Sequence, residues 1–185
     1  MLHMEQKDYS LEIVLDLIKN SHHLRGIAKD LNVNHMTIAR RIKDLIKENV
    51  LDFRVEGKNK IFFLKKTIEA KNYIFSSENY KLNKLLRKYP SLRMILEKIQ
   101  KDKRIKMAIL FGSYAKFIAK EESDIDLYID TVDKNLKKSL SLLDSKLSIK
   151  IGKYDPSNLL IREIEKNHII IKGIEQYYEK NHFFD

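Results

Sequence analysis

Two aspartates one residue apart are the strongest chemical signal in this sequence. Asp124 and Asp126 lie in the alternating segment DIDLYID, so on a β-strand their side chains project from the same face. Carboxylate oxygens suit Mg²⁺, which also accepts phosphate oxygens of a substrate as ligands. The pair therefore predicts a site for divalent cations held by Asp124 and Asp126. Asp130, at the end of the same segment, is interpreted as an acid in contact with water.

A Gly-Ser turn precedes the two aspartates and predicts the second part of a site. Gly112 lets the backbone come close to a ligand. Free N–H groups at the start of a following helix, together with the Ser113 hydroxyl, can hold phosphate oxygens. Taken alone, Ser113 is more often a turn residue than a ligand. Combined with the aspartates, the turn predicts binding of a nucleoside triphosphate with Mg²⁺.

The spacing of these residues resembles a known family. Gly112-Ser113, ten intervening residues and Asp124-Ile125-Asp126 are similar to the signature of the DNA polymerase beta superfamily of nucleotidyltransferases, closest to its minimal prokaryotic members. The resemblance covers roughly residues 105–180. It implies Mg²⁺-dependent (alternatively Mn²⁺-dependent) transfer of NMP from an NTP, with ATP expected, to a hydroxyl of a protein or nucleic acid. Gly112 and Ser113 would contact the triphosphate, while Asp124 and Asp126 would be the catalytic metal ligands.

One feature of that family is not found at its expected place. Active members usually carry a third carboxylate on a later strand, where it deprotonates the attacking hydroxyl or completes the metal shell. The corresponding segment here, LSIKIG, presents Ser148 and Lys150 on that face. Two functions therefore stay open: an active transferase, or an inactive domain that serves nucleotide sensing or assembly. The alternatives for the third acid are Asp130, Asp144 and Asp155.

The elements around these residues predict a small α/β domain. The apolar run 105–111 predicts a buried strand, and the alternating run 124–130 predicts its neighbour. A helix is expected from about 135 to 146 and a further strand at 147–151. Two helical pieces, 156–167 and 173–180, are expected to end the domain.

The N-terminal third has a different organisation. Three apolar stripes at helical spacing are followed by two strand-like runs that flank Gly57, and Asn34 is placed to cap the third helix. Three helices and a hairpin predict a winged helix-turn-helix. Residues 8–66 resemble such domains of bacterial and archaeal transcriptional regulators.

The resemblance to these regulators implies a DNA-binding surface. The third helix of such a domain enters the major groove, and the wing contacts the DNA backbone. The predicted contacts to double-stranded DNA are His35, Thr37, Arg40 and Arg41 on the helix and Arg54, Lys58 and Lys60 on the wing. The alternative is a protein-interaction module whose basic residues are only solvated.

Net charge differs between segments of the chain, which favours different functions for its two parts. Residues 1–66 carry 13 Lys and Arg against 9 Asp and Glu, and residues 67–104 carry 10 against 4. Residues 105–185 carry 13 of each, so the whole excess of +10 lies in the first 104 residues. A basic part joined to a neutral part favours a polyanionic partner for the former and separate chemistry for the latter.

Three segments follow from these patterns: a winged helix over 1–66, a helical connector over 67–104 and a nucleotidyltransferase domain over 105–185. The overall class is α+β or α/β. Pro90 is expected to interrupt the connector, which is the predicted dimer contact of a homodimer. The chain has no cysteine, so disulfides and thiolate metal sites are excluded, and its 6 histidines show no metal-ligand spacing. Without a secretory or membrane-spanning pattern, the expected location is the cytoplasm, with no membrane partner.

Overall fold

The computed structural model describes residues 7–185. The described chain forms two compact units, one ending at Ser77 and the other running from Glu78 to Asp185. Among the described residues, no helix is both long enough and apolar enough to cross a membrane.

The first unit is a winged helix-turn-helix, as the sequence predicted. Its helices are α1 (Tyr9–Lys19), α2 (Leu24–Asp30) and α3 (His35–Lys47). Its antiparallel sheet has the order β1-β3-β2, with β1 (His22–His23), β2 (Leu51–Glu56) and β3 (Asn59–Leu64). The short strand β1 was not predicted, because two histidines carry no alternating pattern. Its backbone pairs with β3.

Local sequence explains where α3 begins and which face it buries. The Asn34 side chain accepts a hydrogen bond from the Met36 N–H at 2.8 Å, which confirms the predicted cap. Ile38, Ile42 and Leu45 are buried at helical spacing. The opposite face of α3 is thereby left for solvent or a partner.

The connector is helical and is interrupted at Pro90, as predicted. It comprises α4 (Ile68–Lys88), a 3₁₀ turn (Pro90–Leu92) and α5 (Arg93–Lys101). The apolar face of α5 packs into the core of the second unit. The chain divides into its two compact units within α4, while a division at residues 66 and 104 stays a prediction.

The second unit contains a four-stranded mixed sheet in the order β6-β5-β4-β7. Its strands are β4 (Ala108–Phe111), β5 (Ile125–Asp130), β6 (Leu147–Gly152) and β7 (Ile169–Lys172). β5 runs antiparallel to β4 and parallel to β6. The helices are α6 (Gly112–Ala115), α7 (Lys134–Ser141), α8 (Leu159–Lys166) and α9 (Ile174–Lys180). The mixed sheet with its helices confirms the predicted fold class.

Two details of this unit differ from the sequence prediction. The helix expected to reach residue 146 ends at Ser141, because the Asp144 carboxylate accepts a hydrogen bond from the Lys146 N–H at 2.8 Å and forms a turn. Strand β7 was missing from the prediction. Its short isoleucine run is buried and lies between two helices, where periodicity alone does not distinguish strand from helix.

Candidate functional site

The structure brings Gly112 and Asp126 into contact. Antiparallel pairing of β4 with β5 sets Phe111 opposite Asp126, so Gly112, at the start of α6, follows directly beside that carboxylate. Gly112 has a φ of +71°, and a Cβ added there would lie 2.3 Å from Asp126 Oδ2. A side chain at position 112 would therefore both strain the backbone and displace the carboxylate.

The other predicted metal ligand, Asp124, lies just before β5 and is exposed. Within the described chain its carboxylate has no hydrogen bond or ion pair. Burial raises the pKa of Asp126, and the negative charge of Asp124 raises it further, while the Ser148 hydroxyl and Lys150 act in the opposite direction. A carboxylate whose pKa is raised by burial and by a second carboxylate nearby is suited to a divalent cation, which would neutralise both groups. The donor set therefore fits Mg²⁺.

Ser113 occupies the second position of α6 and is half-buried. No hydrogen bond of its hydroxyl is found in the described part of the chain. The hydroxyl therefore remains available to a ligand.

The position of the third carboxylate is taken by other side chains. Parallel pairing of β5 with β6 sets Ser148 opposite Asp126, and Lys150 opposite Tyr128. Lys150 is exposed and lowers the pKa of Asp126 through its charge. A protonated lysine can contact phosphate oxygens but cannot ligate a metal.

The three alternative acids have structural partners. Asp130 accepts a hydrogen bond from the Tyr154 N–H at 2.9 Å and forms an ion pair with Lys180 at 3.2 Å. The Asp144 carboxylate forms the turn described above, and Asp155 accepts from the Ser157 N–H at 2.8 Å. None of the three contributes to the pKa shift of Asp126.

The predicted DNA-contacting residues of α3 lie on its outer face. His35, Arg40 and Arg41 are exposed, and Thr37 is half-buried. Met36, next to His35, is 67% exposed. The helix thus leaves its two arginines and His35 accessible to a partner.

The predicted wing residues do not share one face. Lys60 pairs with Val55 across the hairpin, and Arg54 pairs with Ile61, so Arg54 and Lys60 project from opposite faces. Arg54 forms an ion pair with Glu56 at 2.6 Å. Lys58, in the turn between the two strands, is exposed.

Two further lysines, which were not predicted as contact residues from the sequence, lie beside Lys60. Lys43 and Lys47 of α3 line a groove of about 330 Å³ together with Lys60 and the apolar side chains of Phe53 and Phe62. The ammonium of Lys60 lies 4.0 Å from the centre of the Phe53 ring. The i, i+4 spacing of Lys43 and Lys47 was a signal that they share a face of α3.

A second group of ligand-type side chains was also missed. Asp16, His22 and Asp30 come together in the first unit from α1, β1 and α2. Their separations in sequence match no metal-binding motif, so only the fold brings them together.

The family comparison supports the predicted resemblance of the C-terminal half. Residues 93–182 match the family model described as "Polymerase beta, Nucleotidyltransferase", and this segment is a nucleotidyltransferase-like domain. The match begins at α5 rather than at the predicted residue 105. No curated protein matches the chain.

Winged-helix regulators occur among the similar solved structures. The transcriptional repressor BigR from Xylella fastidiosa is 13% identical, with 46% of this chain and 76% of that chain covered and a TM-score of 0.34. The adhesin competence repressor AdcR from Streptococcus pyogenes is 21% identical over 52% and 78%, with a TM-score of 0.37. An S. aureus MepR mutant bound to an oligodeoxyribonucleotide is 13% identical over 75% and 80%, also at 0.37. The winged helix of this chain is established by its own element order and strand pairing.

Proposed function

We propose that this chain is a DNA-binding winged-helix protein whose nucleotidyltransferase-like domain transfers NMP from an NTP to a hydroxyl group of a protein or nucleic acid. ATP is the expected NTP. The observation that carries the proposal is the contact between Gly112 and the Asp126 carboxylate, with Asp124 exposed and without a partner among the described residues.

The residues around this contact suit a metal-bound triphosphate. Asp124 and Asp126 would hold Mg²⁺, or Mn²⁺ in its place. The backbone at Gly112 and the Ser113 hydroxyl would orient the phosphates. Bound there, the metal would supply charge stabilisation to the attacking and leaving oxygens.

The reaction itself is a substitution at phosphorus. The acceptor oxygen forms a bond to the α-phosphorus, the bond from that phosphorus to the bridging α–β oxygen breaks, and pyrophosphate leaves. The proton of the acceptor hydroxyl passes to solvent, because Ser148 and Lys150 offer no carboxylate base beside Asp126. Transfer is therefore expected to be slow at neutral pH and faster as the pH rises.

A second candidate function is favoured by the same two residues. With Ser148 and Lys150 in place of an acid, the domain would bind NTP without transferring it and would serve nucleotide sensing or assembly in a transcriptional regulator. Lys150 would then contribute a phosphate contact. The two candidates share the binding site and differ only in turnover.

A labelling experiment separates the two. The purified chain is incubated with each α-³²P-labelled NTP, Mg²⁺ and cell extract, and the label is followed on gels. Transfer predicts labelling of a macromolecule that is lost in the Asp124→Asn, Asp126→Asn double variant. The absence of label together with Mg²⁺-dependent NTP binding would support the sensing function instead.

DNA binding is proposed for the first unit on the exposed arginines of α3 and the basic part of the wing. Removing two contacts between arginine and phosphate should lower both the affinity for duplex DNA and the salt dependence of that affinity. For Arg40→Ala with Arg41→Ala, the slope of log K against log salt should fall by roughly 1.8. Equal affinity for the double variant at several salt concentrations would rule out contact by this face of α3.

The proposed form of the chain is a homodimer in the cytoplasm, because winged helices usually bind DNA as two-fold dimers. The face of α5 that was expected to offer the contact packs into the core of its own unit. Exposed apolar side chains that remain on the connector are Ile68 and Met94. A dimer through the connector would use one of these side chains, and the molar mass in solution tests for it.

A further inference from the structure

Three metal-binding side chains meet in the first unit, and they belong to no site described so far. Asp16 comes from α1, His22 from β1 and Asp30 from the end of α2. Their ligating atoms all lie within 4.8 Å of one another. Residues 7–185 contain no second group of three such ligands.

The distances within the cluster fit a shared cation better than a hydrogen bond. His22 Nδ1 lies 3.4 Å from Asp16 Oδ2 and 3.5 Å from Asp30 Oδ2. A charge-assisted hydrogen bond from imidazolium to carboxylate is about 2.7–2.9 Å, so the contact with Asp16 is at most a long hydrogen bond. Ligand atoms around a tetrahedral ion with bonds of about 2.1 Å lie roughly 3.4 Å apart.

The imidazole is held so that Nδ1 faces the two carboxylates. On its other side, His22 Nε2 lies against Gly26, where an added Cβ would be 2.1 Å away. The ring stacks on His23 with a centroid distance of 5.3 Å and an angle of 12°. His23 is itself fixed, because its Nδ1 accepts a hydrogen bond from the Gly26 N–H at 3.0 Å. The orientation of His22 is therefore set before any ligand binds.

The cluster borders a surface cavity large enough for an ion and water. The cavity has a volume of about 560 Å³, and Asn20 and Ser21 line it beside the three ligands. The Asp16 side chain is only 15% exposed, so its carboxylate has little contact with water. Lys19 also lines the cavity and contributes one positive charge.

We propose that Asp16, His22 and Asp30 bind one divalent first-row transition metal, with Zn²⁺ as the expected ion and water as a fourth ligand. Imidazole nitrogen suits Zn²⁺ and its neighbours in the series, whereas Mg²⁺ prefers oxygen ligands alone. The ion would join α1, β1 and α2, the elements that lead into α3. It would thereby stabilise the first unit by mass action.

The test uses the full chain with Asp124→Asn and Asp126→Asn, so that the proposed nucleotide site cannot contribute. Isothermal titration with Zn²⁺ should give one ion per chain, and Zn²⁺ should raise the Tm, while Mg²⁺ at the same concentration should do neither. His22→Gln should weaken Zn²⁺ binding roughly 10-fold or more. Asp52→Asn, an exposed carboxylate of β2, is the matched control and should bind as the parent does.

A second variant keeps the test valid if His22→Gln fails to fold. The Asp30 side chain is 50% exposed at the end of its helix, so Asp30→Asn should leave the fold intact and still weaken binding. Failure of the parent chain to bind Zn²⁺, or equal affinity in the Asp30→Asn and His22→Gln variants, would overturn the proposal. Neither result bears on the nucleotide site.

Discussion

At the scale of single residues, the glycine at position 112 connects backbone conformation to the proposed chemistry. Its positive φ and its contact with Asp126 are separate demands, and both exclude a side chain. Gly57 offers a comparison, because it has a φ of +60° but no atom within 4 Å of the position of an added Cβ. The two glycines therefore separate backbone strain from a steric clash.

Replacing each glycine by alanine should distinguish these effects. Gly57→Ala should cost about 1–2 kcal/mol of unfolding free energy through strain alone. Gly112→Ala should cost more and should also abolish Mg²⁺-dependent NTP binding, because Asp126 must move. Denaturant unfolding and isothermal titration measure the two quantities. If Gly112→Ala binds NTP as the wild type does, the contact with Asp126 has no role in binding.

The raised pKa of Asp126 predicts a pH-dependent stability. Because the folded state holds this proton more tightly than the unfolded state, ionisation of Asp126 favours unfolding. The penalty is absent below the unfolded pKa of about 3.9 and complete above the raised folded value. Asp126→Asn should therefore be at least as stable as the wild type at neutral pH without metal, with an advantage that shrinks as the pH falls.

Denaturant unfolding across this pH range checks the sign. A variant that is less stable than the wild type at neutral pH would mean that the ionised carboxylate is favourably paired in the fold. Ser148 and Lys150, which lower the pKa of Asp126, would then outweigh its burial.

At the scale of elements, the wing hairpin separates basic residues that the sequence grouped together. Lys60 lies on the face that borders α3, beside Lys43 and Lys47, while Arg54 lies on the other face and is paired with Glu56. A partner bound to α3 would therefore contact the three lysines and not Arg54.

Single alanine variants of the wing test this arrangement. Lys60→Ala should weaken binding to duplex DNA and reduce its salt slope by roughly 0.9, the loss of one phosphate contact. Arg54→Ala removes the same charge from the opposite face and should change the slope much less. A larger effect of Arg54→Ala, measured by fluorescence anisotropy at several salt concentrations, would assign the DNA to the other face of the wing.

Local signals predicted most of the elements correctly. Asn34 caps α3 and Pro90 interrupts the connector because each acts on its immediate neighbours. Strand β7 was missed because a short isoleucine run has no period to reveal it. The cluster of Asp16, His22 and Asp30 was missed because its members meet only through the packing of three elements. The Gly112–Asp126 contact is an intermediate case. The sequence predicts the two strands as neighbours, and their pairing implies that these two residues lie close together.

At the scale of the whole molecule, the two compact units carry different chemistry, although both have an excess of positive charge, +4 over residues 1–77 and +6 over residues 78–185. The positive excess of the chain lies in residues 1–104, and the pair Asp124 and Asp126 lies in the neutral remainder. A basic surface raises the rate of encounter with a polyanion. The aspartates instead need a cation beside a triphosphate. The aspartates therefore lie apart in sequence from the segments that carry the positive excess.

The central claim is that Asp124 and Asp126 hold a metal-bound nucleoside triphosphate, and isothermal titration of ATP with Mg²⁺ tests it most directly. The wild type should bind, and the Asp124→Asn, Asp126→Asn variant should not. The control, Asp144→Asn with Asp155→Asn, removes the same charge from the same unit and keeps an oxygen acceptor in each turn, so it should bind normally. Unchanged Mg²⁺-dependent binding in the Asp124→Asn, Asp126→Asn variant would contradict the account.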